Sequence, residues 1–343
     1  MIMVRRRLPC EWVMIIVLGI GAATAGGCGD EPSSSDAGSD ADAEGGDRDQ
    51  DSELGDDPVG DPDAADEPET DAVDADDADV PPSPFPDETS TGIPDSACTG
   101  GLREAVEADL RPESGSLFEC VHFLDEFPYV AQEVSGVTFR YCRFEVSSST
   151  PDAFVNLQGS TVTFEDCEFA GGVETWIRAS YFSDFLTIRR CDFSGMANAV
   201  EWGTSDVTIE DNYVHDFGTV TDSQHADGIQ TDGCSRAVIR HNTVLLNDVA
   251  GATGAISLFA DLGNVDDVLA EANLVAGGGY TIYPGAQGGY TATNVRFIGN
   301  HFSTMFHPDC GLYGPKYPSN LPADLVWEDN VWHDGPNEGT PVE

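Results

Sequence analysis

The stretch VTFEDCEF at residues 162–169 decides how the chain is read, because near copies precede and follow it at short intervals. VTFRYCRF (137–144) and LTIRRCDF (186–193) flank it; VTIEDNYV (207–214), AVIRHNTV (237–244), VLAEANLV (268–275), VRFIGNHF (295–302) and LVWEDNVW (325–332) continue the series. Each copy opens with alternating apolar residues, the pattern of a strand with one buried face, and a Cys or Asn then marks a turn. That residue stands at 142, 167, 191, 212, 242, 273, 300 and 330. Units of this length, built from short strands and turns, stack as coils of a right-handed parallel β-helix. The expected fold is therefore all-β, a solenoid of about eight coils and, at about 4.8 Å per coil, a rod roughly 40 Å long. An Asn turned inward at the corner can bond the backbone of neighbouring coils, while a Cys fills the same small volume without a partner. Cys142, Cys167 and Cys191 are accordingly expected as free buried thiols.

A solenoid must cover its ends. GLREAVEADL (101–110) spaces Leu102, Val106 and Leu110 four apart, which predicts an amphipathic N-terminal capping helix over the first coil. Cys98 and Cys120 flank it as a possible staple, and Cys234 and Cys310 remain as a possible second pair. PNEGTPVE at the C-terminus reads as a frayed tail.

Outside the repeats the composition changes abruptly. Arg5–Arg7 followed by the short apolar run VMIIVLGI (13–20) and small residues reads as an export signal over 1–27. Ala25-Gly26-Gly27-Cys28 resembles a bacterial lipobox, with Ala25 where Leu is usual. The resemblance implies lipidation of Cys28, so that acyl chains would hold the protein to a membrane at the cell envelope or surface; simple cleavage would release it as a secreted protein. Either route permits disulfides. Residues 28–97 are rich in Asp, Ala, Gly, Pro and Ser, and 29–97 carry 25 acids against Arg48 alone. With almost nothing apolar to bury, this segment is expected to be a disordered, self-repelling acidic tether. The remaining domain, 98–343, has 36 acids and 11 bases. A formal charge of −47 for 343 residues disfavours nucleic acid as a partner.

Residues 98–343, and NYVHDFG…HADGIQTDGCSRAVIRHNTV (212–244) in particular, resemble the pectate-lyase-like superfamily of right-handed parallel β-helix proteins. The rod is expected to be a monomer, and the resemblance implies a saccharide groove on one sheet. It leaves the activity open, because lyases, hydrolases, epimerases, esterases and non-catalytic adhesins share the fold.

A second strand series lies between the repeats: AFVNLQ (153–158), TWIRAS (175–180), AVEWG (199–203), DGIQT (227–231), AISLF (255–259), YTIYP (280–284) and GLYGP (311–315). Setting Val155, Ile177, Val200, Ile229, Ile256, Ile282 and Leu312 inward puts Asn156, Arg178, Glu201, Gln230, Ser257, Tyr283 and Tyr313 on one outward stripe. Asn156, Glu201, Gln230 and Tyr313 are its candidate substrate contacts, although Arg178 and Glu201 could equally form a plain surface ion pair.

DSQHADGIQTDG (222–233) adds His225 and Asp227, two apart and so able to share a face as a base and its orienting carboxylate, or as two metal ligands. They could also merely cap a turn. Asp227-Gly228-Ile229 resembles the Asp-Gly-Ile of polygalacturonases, but the Gly-Asp-Asp and Gly-His-Gly of that family are missing, which removes support for paired-carboxylate hydrolysis. His215, His241, His301 and His333 fall at or beside coil corners and read as structural. Lys316, the single lysine, and Tyr280, Tyr283 and Tyr317 could wall a groove or pack the rod's end.

Two functions fit. One is a polysaccharide lyase or epimerase acting on a uronate, with Arg178 or Lys316 neutralising the carboxylate, His225 as base and Tyr283 as acid. The other is a non-catalytic glycan-binding or adhesion rod. The acidity of the domain favours a neutral glycan, or an anionic one bridged by Ca²⁺ on Asp222, Asp227 and Asp232; no other cofactor is implied.

Overall fold

The computed structural model describes residues 85–147, 155–171, 175–179, 184–218, 225–247, 249 and 251–343. The signal-like segment, Cys28, the tether up to residue 84 and Asp222 lie outside the described residues. The described chain is a parallel β-solenoid with three faces, which hold nine, ten and eight strands. One coil runs from Val155–Leu157 on face III to Ser160–Glu165 on face I and Glu168–Ala170 on face II. The repeat recognised in the sequence is thus two strands of different faces joined at the Cys or Asn corner.

The residue before that corner takes a left-handed backbone in every copy: φ is 55° at Tyr141, 51° at Asp166, 51° at Arg190, 58° at Asp211, 50° at His241, 51° at Ala272, 63° at Gly299 and 54° at Asp329. A single left-handed residue bends the chain sharply between faces I and II, at a cost of about 1 kcal/mol where the residue is not glycine. The corner ladder offsets that cost in the later coils. Asn273 accepts from the Asn242 backbone N–H at 2.9 Å and side-chain Nδ2 at 3.0 Å, and donates from its own Nδ2 to Ile239 O at 2.9 Å and to Asn300 Oδ1 at 2.9 Å. Asn212, Asn242 and Asn300 repeat the pattern. In the early coils Cys142, Cys167 and Cys191 fill the corner as buried free thiols, as expected. Beside them Phe123, Phe144, Phe169 and Phe193 stack coil upon coil, with centroids 4.8, 4.7 and 4.4 Å apart.

Both ends differ from the sequence expectation. No α-helix forms over 101–110. Arg103–Glu104 pairs with Val121 and His122 as an added strand of face II, and only Glu107–Leu110 turns, as a 3-10 helix. Arg103 clamps Asp109 at 2.6 and 3.0 Å, and the same carboxylate accepts the Val106 N–H at 2.8 Å, so this turn is held by polar contacts while Val106 lies exposed. At the other end the tail is not frayed. Val342 is buried, its N–H donates to Asn330 O at 2.8 Å, and its carbonyl accepts from Trp327 Nε1 at 2.7 Å, which lays the tail over the last coil. Cys98 and Cys120 are joined, whereas Cys234 and Cys310 are separate buried thiols. Cys234 begins a face I strand, while Cys310 sits in a loop with its thiol against Val275 O of face II.

Residues 85–97 lie along the coils. Phe85 packs against His241, His301 and His333, the Gly92 N–H donates to Arg190 O at 2.9 Å, and Cys98 is tied to Cys120 in the first coil. This strap runs backwards over the rod, from its late coils to its first.

Candidate functional site

Face III carries the expected stripe through six coils. Asn156, Arg178, Glu201, Gln230, Ser257 and Tyr283 are in register, with Val155, Ile177, Val200, Ile229, Ile256 and Ile282 buried beside them. The register then differs from the expected one. Ile282 pairs with Lys316 and Tyr280 with Gly314, so Tyr317 continues the column above Tyr283, their rings 5.0 Å apart and nearly parallel. Leu312 and Tyr313 stand 58% and 69% exposed in the preceding turn. Lys316 therefore occupies the inward position of its coil, with Nζ 4.3 Å from the Trp327 ring centroid, and burial lowers its pKa. It closes the end of the core and is not brought to the stripe.

The stripe's polar groups are coupled to each other. Arg178 donates to Glu201 at 3.1 Å, and Gln230 donates to Asp232 at 3.2 Å. Burial raises the Asp232 carboxyl, and the Asp261 charge adds to the effect. Ser257 is fully buried; it donates to Asp227 Oδ1 at 2.5 Å, and Asp227 is itself only 1% exposed. Burial pushes the Asp227 carboxyl up to about 7, the Asp232 charge adds to this, and the Ser257 hydrogen bond opposes it. Tyr283 is raised to about 12, first by burial and then by Asp227 and the neighbouring tyrosines, so it keeps its proton as a donor.

The expected His225–Asp227 partnership is not formed. The next coil inserts an extra residue, Thr253, between the partners of Ala226 and Asp227, and it is this residue that His225 meets. The His225 Nδ1 lies 3.0 Å from Thr253 Oγ1, and the Asp227 carboxyl turns to Ser257. Of the expected Ca²⁺ ligands, Asp227 is enclosed with Ser257 and Asp232 is paired with Gln230. Among the described residues no group of three or more His, Cys, Asp or Glu is placed to hold a metal.

At the late end of the stripe the rings of Phe259, Tyr280, Tyr283, Tyr313 and Tyr317 form a contiguous cluster, with neighbouring centroids 5.0 to 6.0 Å apart. A cleft of about 380 Å³ opens beside it, lined by Phe259, Asp261, Tyr283, Gln287, Tyr317 and Asn320 among others. Phe259, Asp261, Gln287 and Asn320 were not among the sequence candidates. The long apolar-to-polar strand Ala252–Ala260 carried a hint of Phe259, two residues beyond Ser257, but Asp261, Gln287 and Asn320 lie where chain leaves the face.

Electrostatics narrow what this face can accept. Of the ten arginines of 98–343, nine are ion-paired: 103, 140, 143, 178, 189, 190, 236, 240 and 296. Arg111 lies over Tyr129 and Lys316 over Trp327. Each base of the rod thus already has an anionic or aromatic partner.

A family model described as the right handed beta helix region matches residues 129–313, more than half of the chain and the whole span of the stripe up to Tyr313. No curated protein and no solved structure matches the chain.

Proposed function

We propose that this chain, which belongs to the right-handed β-helix family, is a carbohydrate-active protein of the cell surface or exterior whose tyrosine-walled cleft on face III binds a neutral glycan. The observation that carries the reading is the ring cluster beside the cleft, with Asp261, Gln287 and Asn320 at its rim. Flat aromatic faces stack on the C–H faces of a sugar ring, and carboxylate and amide groups at the edge receive its hydroxyls. A neutral substrate follows from the absence of an unengaged cation along the stripe among the described residues, because a uronate carboxylate there would meet Asp232, Asp261 and Glu201 without compensation. The same reading takes the Arg5–Arg7 export signal and lipidation at Cys28 as the route to the surface, with the acidic segment as spacer and the rod acting as a monomer.

A catalytic version of this reading is favoured by one feature: Asp227, with its carboxyl near 7, lies close enough to raise Tyr283. A group that titrates near neutrality beside a protonated phenol is the composition of an acid–base pair. Since Asp227 is enclosed, turnover would require the face to open around it, and a lyase or epimerase would further need Ca²⁺ to bridge a uronate. The test is a panel of neutral glycans and polyuronates, with and without Ca²⁺, following binding, ultraviolet absorbance of unsaturated products and new reducing ends together. Retained binding of a neutral glycan without product supports the binding rod; absorbance identifies a lyase, and reducing ends alone a hydrolase. Binding of no glycan overturns the proposal.

A further inference from the structure

Away from face III, His301 and His333 stand on adjacent coils with their Nδ1 atoms 3.3 Å apart. The backbone beneath them is fixed: His301 opens the strand His301–Phe302, which pairs with Val331–Trp332, and His333 follows directly, its N–H donating to Phe302 O at 2.9 Å. Asp334 then anchors the corner by accepting from Ser303 Oγ at 2.5 Å and from the Thr304 N–H at 2.8 Å. The strap holds the rings from the other side, Phe85 meeting His301 edge-on at 4.9 Å and His333 at 5.7 Å.

Two neutral imidazoles this close share one proton between facing nitrogens, and the second nitrogen must offer its lone pair. A tetrahedral ion with bonds of about 2.0–2.1 Å to imidazole nitrogen needs those nitrogens roughly 3.3–3.4 Å apart. The two nitrogens are therefore already at the separation of a chelate, without movement of the coils. We propose that His301 and His333 form a binding site for a nitrogen-preferring transition-metal ion such as Zn²⁺ or Cu²⁺, bound through both Nδ1 atoms with its remaining positions left to water or an incoming ligand. The site lies on face II and its following turn, so it stands apart from the glycan cleft and does not depend on it.

The test uses the full chain free of any histidine tag, because an added tag would mask the site. Titration with Zn²⁺ by calorimetry should show one saturable site whose affinity falls at least tenfold in both H301Q and H333Q, while H215Q, remote from the pair, leaves it unchanged. The acidic segment can collect cations weakly, so loss in the His variants is the decisive readout. With Cu²⁺ at one equivalent, electron paramagnetic resonance should show coupling to two nitrogens. Equal uptake by wild type and the H301Q/H333Q double variant, or a spectrum with oxygen ligands alone, would overturn the proposal; far-ultraviolet circular dichroism establishes that the variants remain folded.

Discussion

The early and late coils solve the same corner in different ways. Through Cys191 the inward residue is a thiol whose contacts are long, such as Cys142 Sγ to Phe118 O at 3.4 Å, and cohesion comes from continuous phenylalanine stacks. From Asn212 onward the inward residue is an amide with hydrogen bonds of 2.9–3.0 Å both up and down the rod, and beside it the phenylalanine column gives way to Val214, Val244 and Val275. The difference shows that one backbone bend can be stabilised either by apolar stacking or by a polar ladder. Only the late half pairs that ladder with an aromatic face III, so the proposed binding surface sits where the corner is most firmly hydrogen-bonded.

Cutting the polar ladder should have the largest effect. N273A removes the side-chain partner of the Asn242 N–H and of Ile239 O, each worth about 1–3 kcal/mol, and takes one bond from Asn242 Nδ2 and from Asn300 Oδ1, which keep others, at about 0.5 kcal/mol each, so a loss of about 5 kcal/mol is expected in denaturant unfolding. Hydrogen exchange should place that loss in the late coils; protection lost uniformly along the rod would contradict the division. Breaking the stack comes next. F144A removes a ring held between Phe123 and Phe169 and should cost about 4 kcal/mol, this time with exchange rising in the early coils.

A smaller effect is expected from pH. Asp227 titrates near 7 in the folded protein against about 4 when unfolded, so the folded state retains a proton that the unfolded chain has released. The stability this gives is complete below about pH 4 and is lost as pH rises through 7. Between pH 5 and 7 the wild type should therefore lose about 2 kcal/mol relative to D227N, whose amide stays neutral. Parallel denaturation midpoints for the two proteins across that range would show that Asp227 is not held protonated. Smallest of all, C167A should cost about 1 kcal/mol, since it removes one sulfur that packs but bonds weakly. A cost equal to that of N273A would erase the distinction between the two ladders.

Much of this was legible in the chain itself. The spacing of Cys142 to Asn330 led directly to the coil and its inward ladder, because a small residue that must sit at one corner recurs visibly, and alternation placed the stripe from Asn156 to Tyr283. The sequence reading went astray where polar groups take apolar positions or the period breaks. Lys316 occupies an inward site by lying over Trp327, which hides the register of the last strand and moves Tyr317, in place of Tyr313, into the column. His225 and Asp227, which simple alternation puts on one side, are parted by their partners in the next coil, His225 meeting the extra residue Thr253 and Asp227 the buried Ser257. Leu102, Val106 and Leu110 have helical spacing, but the open edge of face II offers main-chain partners that draw Arg103–Glu104 into a strand. Val342 gave no local signal, since its burial depends on a fold-back onto Asn330 and Trp327.

The most direct test of the central claim, that the tyrosine end of face III is a glycan-binding surface, compares wild type with the Y283A/Y317A variant on the tightest-binding neutral glycan of the panel by calorimetry. Aromatic contacts of this kind contribute about 1 kcal/mol each, so the account predicts a loss of affinity of at least tenfold with the fold intact by circular dichroism. Unchanged affinity in the folded variant would contradict it.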